Sequence, residues 1–344
     1  RVLMKKKLFI FSNESIFINQ GKFFCDNIDM KSTSEGLNNK FEVNIIARES
    51  KKIRSHKINL KNVKIYGNII SFLFGILKAS RNKNSKYLII SISPFTMLAC
   101  ILLNLLKEKP NVYLRSDGYE EYKSILGFLG PAIYHMMFLI VGKISHLISC
   151  REHILRGRKG NIVEPSQLTK KWLFNHKPTQ LDKIKLLYVG RVRVEKGIFS
   201  LLKIFKKISE NITLSIVGAE KVSNKTIIQN NVNIYEIETN EDNLIKFYDD
   251  HDIFILPSFT EGHPMALLES LARFRPVIIF KEIDHVLGNK KGVFVANRDE
   301  KSLFEKIKYI ESNYENIQRE MKENKLPLKE NFLKQMEKSI LNSN

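Results

Sequence analysis

Two glutamates eight positions apart, Glu261 and Glu269, bracket the densest chemical signal in the chain, PSFTEGHPMALLESLARFRPVII over 257–279. The run DIFILPS (252–258) before it has the length of a strand. The loop after such a strand lies at the carboxyl edge of an α/β sheet, where open sheets bind ligands. Pro264 suits the first position of a helix, where its missing N–H costs nothing. The amides of Met265 and Ala266 then point out of the helix start and, with the helix dipole, form a phosphate site. A rise of about 1.5 Å per residue lets Glu261, in the loop, and Glu269, inside the helix, flank a ligand roughly 10 Å long. A diphosphate-linked sugar has that extent, and its hydroxyls suit carboxylate acceptors at both ends. Leu268, Leu271 and Ala272 are expected to face the core. Two surface acids on a helix are the plain alternative, and the adjoining phosphate site argues against it.

The second signal is LYVGRVRVEKG (187–197), a strand ending at Gly190 and followed by Arg191 and Lys196. Glycine allows close backbone approach to a diphosphate, arginine offers a forked contact, and lysine a point charge. Alone the pattern is weak, because lysine-rich loops in a basic chain are usually solvated. Asp117 in YLRSDGYEEY (113–122) also ends a strand, and an aspartate before Gly118 reads equally as a turn residue. His263 beside Pro264 reads equally as a cap and as a ligand contact. Glu120 and Glu121 are expected to be solvated, Tyr248 and Phe247 to be core, and His135 to be a satisfied core histidine.

Placing these residues requires strands that end where the loops begin. Strand-length runs occur at 6–12, 41–47, 86–93, 111–116 and 146–150, and again at 185–190, 213–218, 231–236, 252–258, 275–280 and 292–296. Their hydrophobicity is continuous, as in strands buried on both faces of a parallel sheet. Helix-like stretches alternate with them, which predicts an α/β fold of two doubly wound, Rossmann-like domains facing a central cleft. The polar stretch EPSQLTKKWLFNHKPTQLDKI (164–184) carries two prolines and reads as a connection. The expected division is a first domain over 4–165, a linker over 166–184 and a second domain over 185–328. A C-terminal helix over 329–344 sets Phe332, Met336 and Ile340 on one face.

The 344 residues hold 56 Lys and Arg against 36 Asp and Glu, a net charge of +20. That excess fits nucleic acid, an anionic membrane surface or phosphate-bearing substrates. No interleaved aromatic-basic motif, helix-turn-helix or zinc pattern supports nucleic acid, so that partner is not expected. Cys25, Cys100 and Cys150 stand far apart, which argues for a reducing, cytoplasmic setting and against a zinc site. Met4-Lys5-Lys6-Lys7-LFIF has too short an apolar part for a signal peptide and reads as a first strand. Ile125–Gly142, a long stretch free of charged residues, is short of the about 20 clean residues of a spanning helix and is expected to be a buried or interfacial helix.

In this order and spacing, the two signals resemble glycosyltransferase family 4, a retaining group of the GT-B fold. The matching residues are Gly190, Arg191, Glu195, Lys196 and Gly197, then Gly218 after the next strand, then Glu261-Gly262 with Glu269, the E-x7-E spacing. The resemblance covers about 180–325 and reaches the N-terminal half only through strand order. It implies that Arg191 and Lys196 bind the donor diphosphate, Glu269 the ribose hydroxyls and Glu261 the donor sugar. It also implies a cleft-facing role for Asp117 on the acceptor side, and a C-terminal helix that returns to the first domain. Gly190, Gly218, Gly262, His263, Met265 and Ala266 complete the expected donor site, with Ile237 near the base. The departures are a lone Gly21 in SNESIFINQGKFF (12–24), where the family often has a Gly-Gly loop, and IYEIETN (234–240), where it often has a second glycine.

The expected activity is retaining transfer of a sugar from a nucleotide-diphosphate donor to a glycan or lipid-linked acceptor in polysaccharide or lipopolysaccharide assembly. No D-x-D pair adjoins the phosphate site, so neither a metal nor a further cofactor is expected. Lys51, Lys52, Arg54, Lys57, Lys61 and Lys64, with the apolar run 69–77, are the expected peripheral contact with an anionic membrane. A sugar-nucleotide epimerase of the same fold and a non-catalytic donor-binding subunit are the alternatives.

Overall fold

The computed structural model describes residues 5–82, 84–208, 211–219 and 230–343. They form two units, one of residues up to Gln167 together with those from Lys329 onward, the other Leu168–Leu328. The expected start of the first domain at Met4 lies outside the described residues.

In unit 1 the strands are β1 (Lys7–Asn19), β2 (Lys22–Cys25), β3 (Glu42–Glu49), β4 (His56–Ile58), β5 (Val63–Tyr66), β6 (Lys86–Ile90), β7 (Asn111–Leu114), β8 (His146–Ser149) and β9 (Gly160–Ile162). Parallel neighbours run β5-β3-β1-β6-β7-β8-β9. An antiparallel branch, β1-β2-β4, leaves the far end of β1. The segment 12–24, expected as a loop, is thus largely strand, turning at Gln20 and Gly21 with φ of 46° and 73°. Its continuous apolar residues Ile16, Phe17 and Ile18 carry the extension, and the register shifts between Phe11 and Ser15.

The helices of unit 1 are α1 (Ile28–Leu37), α2 (Ile69–Ser80), α3 (Pro94–Leu105), α4 (Gly118–Leu126) and α5 (Gly130–Ile144). Ser93 and Thr96 cap α3 reciprocally, and Pro94 takes its first turn. The apolar run 69–77 is not a surface patch throughout: Phe72, Gly75 and Ile76 are buried, while Ile70 and Phe74 face outward. Arg54 pairs with Asp26 and is half-buried, unlike the exposed Lys51, Lys52, Lys57, Lys61 and Lys64.

Unit 2 has strands β10 (Lys185–Val189), β11 (Thr213–Ala219), β12 (Val232–Glu236), β13 (Ile253–Leu256), β14 (Val277–Phe280) and β15 (Val293–Ala296). All pairs are parallel, in the order β12-β11-β10-β13-β14-β15. Every residue of β13 and β14 is buried, as their continuous apolar sequence predicts. The helices are α6 (Ile198–Phe205), α7 (Glu241–Asp249), α8 (Met265–Ala272), α9 (Glu300–Ser312) and α10 (Tyr314–Met321).

The polar stretch read as a linker over 166–184 is part of unit 2 from Leu168 onward. Leu168, Trp172 and Ile184 lie in its core, and Trp172 meets Tyr248 edge-on at 5.5 Å. Arg273, fully buried, donates to the carbonyls of Trp172 (3.0 Å), Phe174 (2.7 Å) and Asn175 (2.8 Å), and makes two bonds of 2.8 Å to Asp249. Arg275 likewise donates to the carbonyls of Lys177 (2.8 Å) and Tyr248 (3.0 Å). Two buried guanidinia thus satisfy a run of carbonyls that irregular backbone would otherwise leave bare.

The last helix, α11 (Lys329–Leu341), belongs to unit 1. Phe332, Met336 and Ile340 are buried in the core beneath β1, β3 and β6, and Phe332 lies 6.1 Å from Tyr113.

Candidate active site

The strand order of unit 2 fixes where its ligand edge opens. From β10 the chain winds outward through β11 and β12, then returns to the other flank of β10 as β13. The carboxyl ends of β10 and β13 therefore lie at a topological switch point, the part of an open α/β sheet where ligands bind. The loop after β10 is 190–197 and the loop after β13 is 257–264, the two segments that the sequence singles out.

These loops are stitched together. Phe259 donates its backbone N–H to the carbonyl of Glu195 at 3.0 Å. Residues Val194–Lys196 make one 3-10 turn, closed by Gly197 at φ +68°. A β-carbon there would stand 1.8 Å from the Pro257 carbonyl oxygen, so only glycine lets the loops meet this closely. One strand over, a β-carbon on Gly218 (φ +131°) would stand 2.1 Å from the carbonyl oxygen of Gly190.

Lys196 and Glu261 meet at this edge, with Nζ 2.6 Å from Oε1. The Ser258 hydroxyl donates to the same oxygen at 2.7 Å, and the Glu261 side chain is only 10% exposed. Behind it, Arg298 donates to the carbonyls of Pro257 (2.9 Å) and Ser258 (3.3 Å) and lies over the rings of Phe259 and Phe280. Its bond to Glu282, at 2.6 Å, holds that carboxyl below its ordinary pKa. His285 meets the Glu261 carbonyl at 2.8 Å. Ser258, His285 and Arg298 thus fix the carboxylate's backbone and orientation, and none of them stands within the motif spacing that identifies Glu261.

Helix α8 begins at Met265, with Pro264 as its extended cap residue (ψ 109°), so the expected placement of Pro264 inside the helix is corrected by one position. The first-turn amides of Met265, Ala266 and Leu267 have no carbonyl four residues back within the helix. A turn further, Glu269 accepts from the Tyr248 hydroxyl at 2.8 Å. Tyr248 is fully buried, and burial first and the Glu269 charge second push its hydroxyl well above its ordinary pKa, so it is a fixed donor. Leu268, Leu271 and Ala272 face the core as expected. On the opposite flank Tyr188 donates to the carbonyl of Arg191 at 2.9 Å, turning that loop while the Arg191 side chain stays exposed. Gly262 and His263 are half-buried in the loop between Glu261 and α8. Ile237, half-buried after β12, bonds through its amide to the Ala219 carbonyl at 3.2 Å. Among the described residues no group of three or more His, Cys, Asp or Glu side chains could hold a metal ion.

Asp117 lies in unit 1, and both its carboxylate oxygens are engaged. Oδ1 caps α4 by accepting from the Tyr119 amide at 3.0 Å, and Oδ2 accepts from Arg156 at 2.9 Å. Asp117 is thus the N-cap of α4, where the sequence suggested a turn residue. Glu120 and Glu121 are exposed as expected, whereas His135 is not a core residue: it is exposed and meets the Tyr119 hydroxyl at 2.8 Å.

Residues 170–326 match the family described as glycosyl transferases group 1. Over 141 residues the chain is 30% identical to a capsular polysaccharide biosynthesis glycosyltransferase, CapM, of Staphylococcus aureus, covering 38% of this chain and 37% of that protein. Over 131 residues it is 26% identical to a putative teichuronic acid biosynthesis glycosyltransferase, TuaC, of Bacillus subtilis, covering 37% of this chain and 33% of that one. The chain therefore spans about a third of the length of these curated relatives. Among solved structures, Anabaena HepE in complex with UDP and glucose aligns with a TM-score of 0.70 at 9% identity, over 97% of this chain and 99% of that one. WaaG, a glycosyltransferase involved in lipopolysaccharide biosynthesis, aligns with a TM-score of 0.67 at 13% identity, over 97% and 100%. Residues 170–326 thus carry the pattern of the group 1 glycosyl transferases, on the α/β fold of two Rossmann-like units found in GT-B glycosyltransferases.

Proposed function

We propose that this chain transfers a sugar, with retention, from a nucleoside-diphosphate donor to a glycan or lipid-linked acceptor in cell-surface polysaccharide assembly. The observation that carries the reading is the meeting of Lys196 and Glu261 at the switch point of unit 2, in the loop that leads into α8 and Glu269. A cation and two carboxylates around a helix start suit a ligand with charge in the middle and hydroxyls at both ends. The names of the relatives, concerned with capsular polysaccharide and teichuronic acid, support the substrate class.

The roles follow the chemistry. Arg191, Lys196 and the first-turn amides of α8 bind the diphosphate and stabilise the charge that develops as it leaves. Glu269, oriented by Tyr248, accepts from the ribose hydroxyls. Glu261, held by Ser258 and Lys196, orients the sugar and forms no covalent bond to it. The departing phosphate oxygen takes the acceptor proton on the face it leaves, which gives retention. The positive charge is supplied by the protein, so turnover is expected to be insensitive to a chelator. Unit 1 is assigned the acceptor, and the three buried, free cysteines support a cytoplasmic setting at the inner face of the membrane.

A thermal-shift screen with UDP-, GDP-, ADP- and dTDP-sugars tests the donor site, since a bound ligand raises apparent stability. Arg191→Ala with Lys196→Ala is expected to abolish the shift and to lower transfer by roughly 100-fold or more at unchanged fold. A folded double variant with near-normal transfer overturns the assignment. So does release of an isomerised sugar from donor alone, the mark of an epimerase.

A further inference from the structure

The apolar stretch 118–144 is neither a buried helix nor a single spanning one. By length and composition alone it could cross a membrane, but only 28% of its apolar window is buried. Gly127, at φ +66°, breaks it into α4 and α5, which fold back on each other. Tyr119 meets Phe138 at 6.0 Å and Tyr134 at 4.9 Å, and Tyr122 meets Tyr134 at 5.3 Å. Two glycines allow the approach. A β-carbon on Gly118 would stand 2.0 Å from the Tyr134 ring, and one on Gly130 would stand 2.0 Å from the Tyr122 carbonyl. The hairpin is therefore closely packed on its inner side.

Its outer side and tip are bare. Phe128 is 87% exposed, Ile125 65%, Met136 56% and Leu129 55%, with Ile133 and Leu139 beside them. A contiguous apolar surface of this kind on a folded unit marks an interaction site. The charge around it selects the partner. Unit 1 holds 30 Lys and Arg against 14 Asp and Glu, a net +16, whereas unit 2 holds 26 against 22, a net +4. Between Glu49 and Glu108 there are eleven cations and no acid. At the base of the hairpin Arg158 lies over the Phe138 ring at 5.4 Å and Arg156, paired with Asp117, over Tyr119 at 4.7 Å, with the exposed Lys123 and Lys143 on the helices themselves. The hairpin's own acids, Glu120 and Glu121, sit in the first turn of α4, about 10 Å along the helix from Phe128. A second copy of a unit this basic would be repelled. An anionic lipid surface would be attracted, and it offers the apolar layer that the tip lacks.

We propose that the α4–α5 hairpin is a membrane-docking wedge: its tip from Ile125 to Leu129 enters the outer layer of an anionic bilayer while the cations at its base meet the lipid headgroups. This deepens the peripheral-membrane part of the functional reading. It rests on unit 1 alone and not on the transfer chemistry.

The full chain is tested by co-sedimentation with vesicles of phosphatidylglycerol and phosphatidylcholine, and with phosphatidylcholine alone, at low and physiological salt. Binding to the anionic vesicles is expected, weaker in salt, and reduced about 10-fold or more by Phe128→Glu. Emission of Phe128→Trp is expected to shift to the blue on binding and to be quenched by brominated lipid chains, against the constant background of the buried Trp172. Three results overturn the proposal: no binding of the wild-type chain at low salt, equal binding by Phe128→Glu, or bound Phe128→Trp with unshifted, unquenched emission, which means adhesion by charge alone. A self-associated form that Phe128→Glu dissolves, with no vesicle binding, also overturns it and assigns the tip to a second copy. Donor-induced thermal shifts measured without vesicles report separately on the site in unit 2.

Discussion

The carboxyl edges of the two sheets carry similar residues and use them differently. At the edge of unit 2, Glu261 keeps one carboxylate oxygen on Lys196 and Ser258, beside loops whose close approach at Gly197 only glycine allows. At the edge of unit 1, Asp117 spends both oxygens on a helix cap and on Arg156. An aspartate that ends a strand and a glutamate that follows one look alike in sequence. Their difference lies in what else reaches them. Glu261 is reached by groups from a distant loop that also suit a ligand, and Asp117 by the amide two residues on and a neighbouring loop's arginine.

The largest effect is expected at Arg273, whose buried pair with Asp249 ties 172–175 to unit 2. Arg273→Ala leaves a largely covered carboxylate and bare carbonyls and should destabilise by about 3–5 kcal/mol in urea unfolding. A loss under about 1 kcal/mol would make 168–184 a linker after all.

Next is Gly197→Ala, where the left-handed backbone and the Pro257 carbonyl both resist a methyl group. A loss of about 2 kcal/mol is expected, together with loss of the donor-induced thermal shift. A retained shift would show that the two loops need not touch to bind donor.

The third concerns Asp252, whose pKa is raised to about 6, chiefly by burial and against the Lys185 amide that donates to it. A carboxyl raised in the folded state contributes stability that is present below its unfolded value near pH 4 and is lost as pH rises through about 6. Asp252→Asn should therefore gain about 1–3 kcal/mol over wild type at pH 8 and little at pH 4. A pH-independent difference would contradict the burial account.

Tyr248→Phe is fourth: it strips Glu269 of its fixed donor and should cost about 1–2 kcal/mol of stability while weakening donor binding more than turnover. The smallest effect is expected at Asp117. Asp117→Ser keeps a capping oxygen and should change stability by less than about 1 kcal/mol, with transfer within a few-fold. A loss of transfer beyond 100-fold in that folded variant would restore Asp117 to the chemistry and remove the contrast between the two edges.

Much of the fold is legible because it is local. The strands of unit 2 fall within two residues of their apolar runs, since a strand buried on both faces must be apolar throughout. Segment 12–24 misleads because its antiparallel branch depends on where β2 and β4 return, and a single Gly21 gives little notice of that. Segment 168–184 misleads more sharply, because its polarity reads as solvent exposure when its carbonyls are met by Arg273 and Arg275, about a hundred residues on. The hairpin at 118–144 was visible as an apolar stretch, but its bare tip was not, because hydrophobicity alone does not say which face finds a partner.

The repeated strand-and-helix order, the glycine-bearing loops after β10 and β13, and the presence of Glu261, Glu269, Arg191 and Lys196 are legible in the sequence, because each is written in local composition and spacing. Tertiary structure alone decided that β10 and β13 lie side by side, that Lys196 meets Glu261, that Tyr248 orients Glu269, and that Asp117 is occupied as a cap. Those are contacts between segments tens of residues apart, and the winding of the sheet, which sets them, has no local signature.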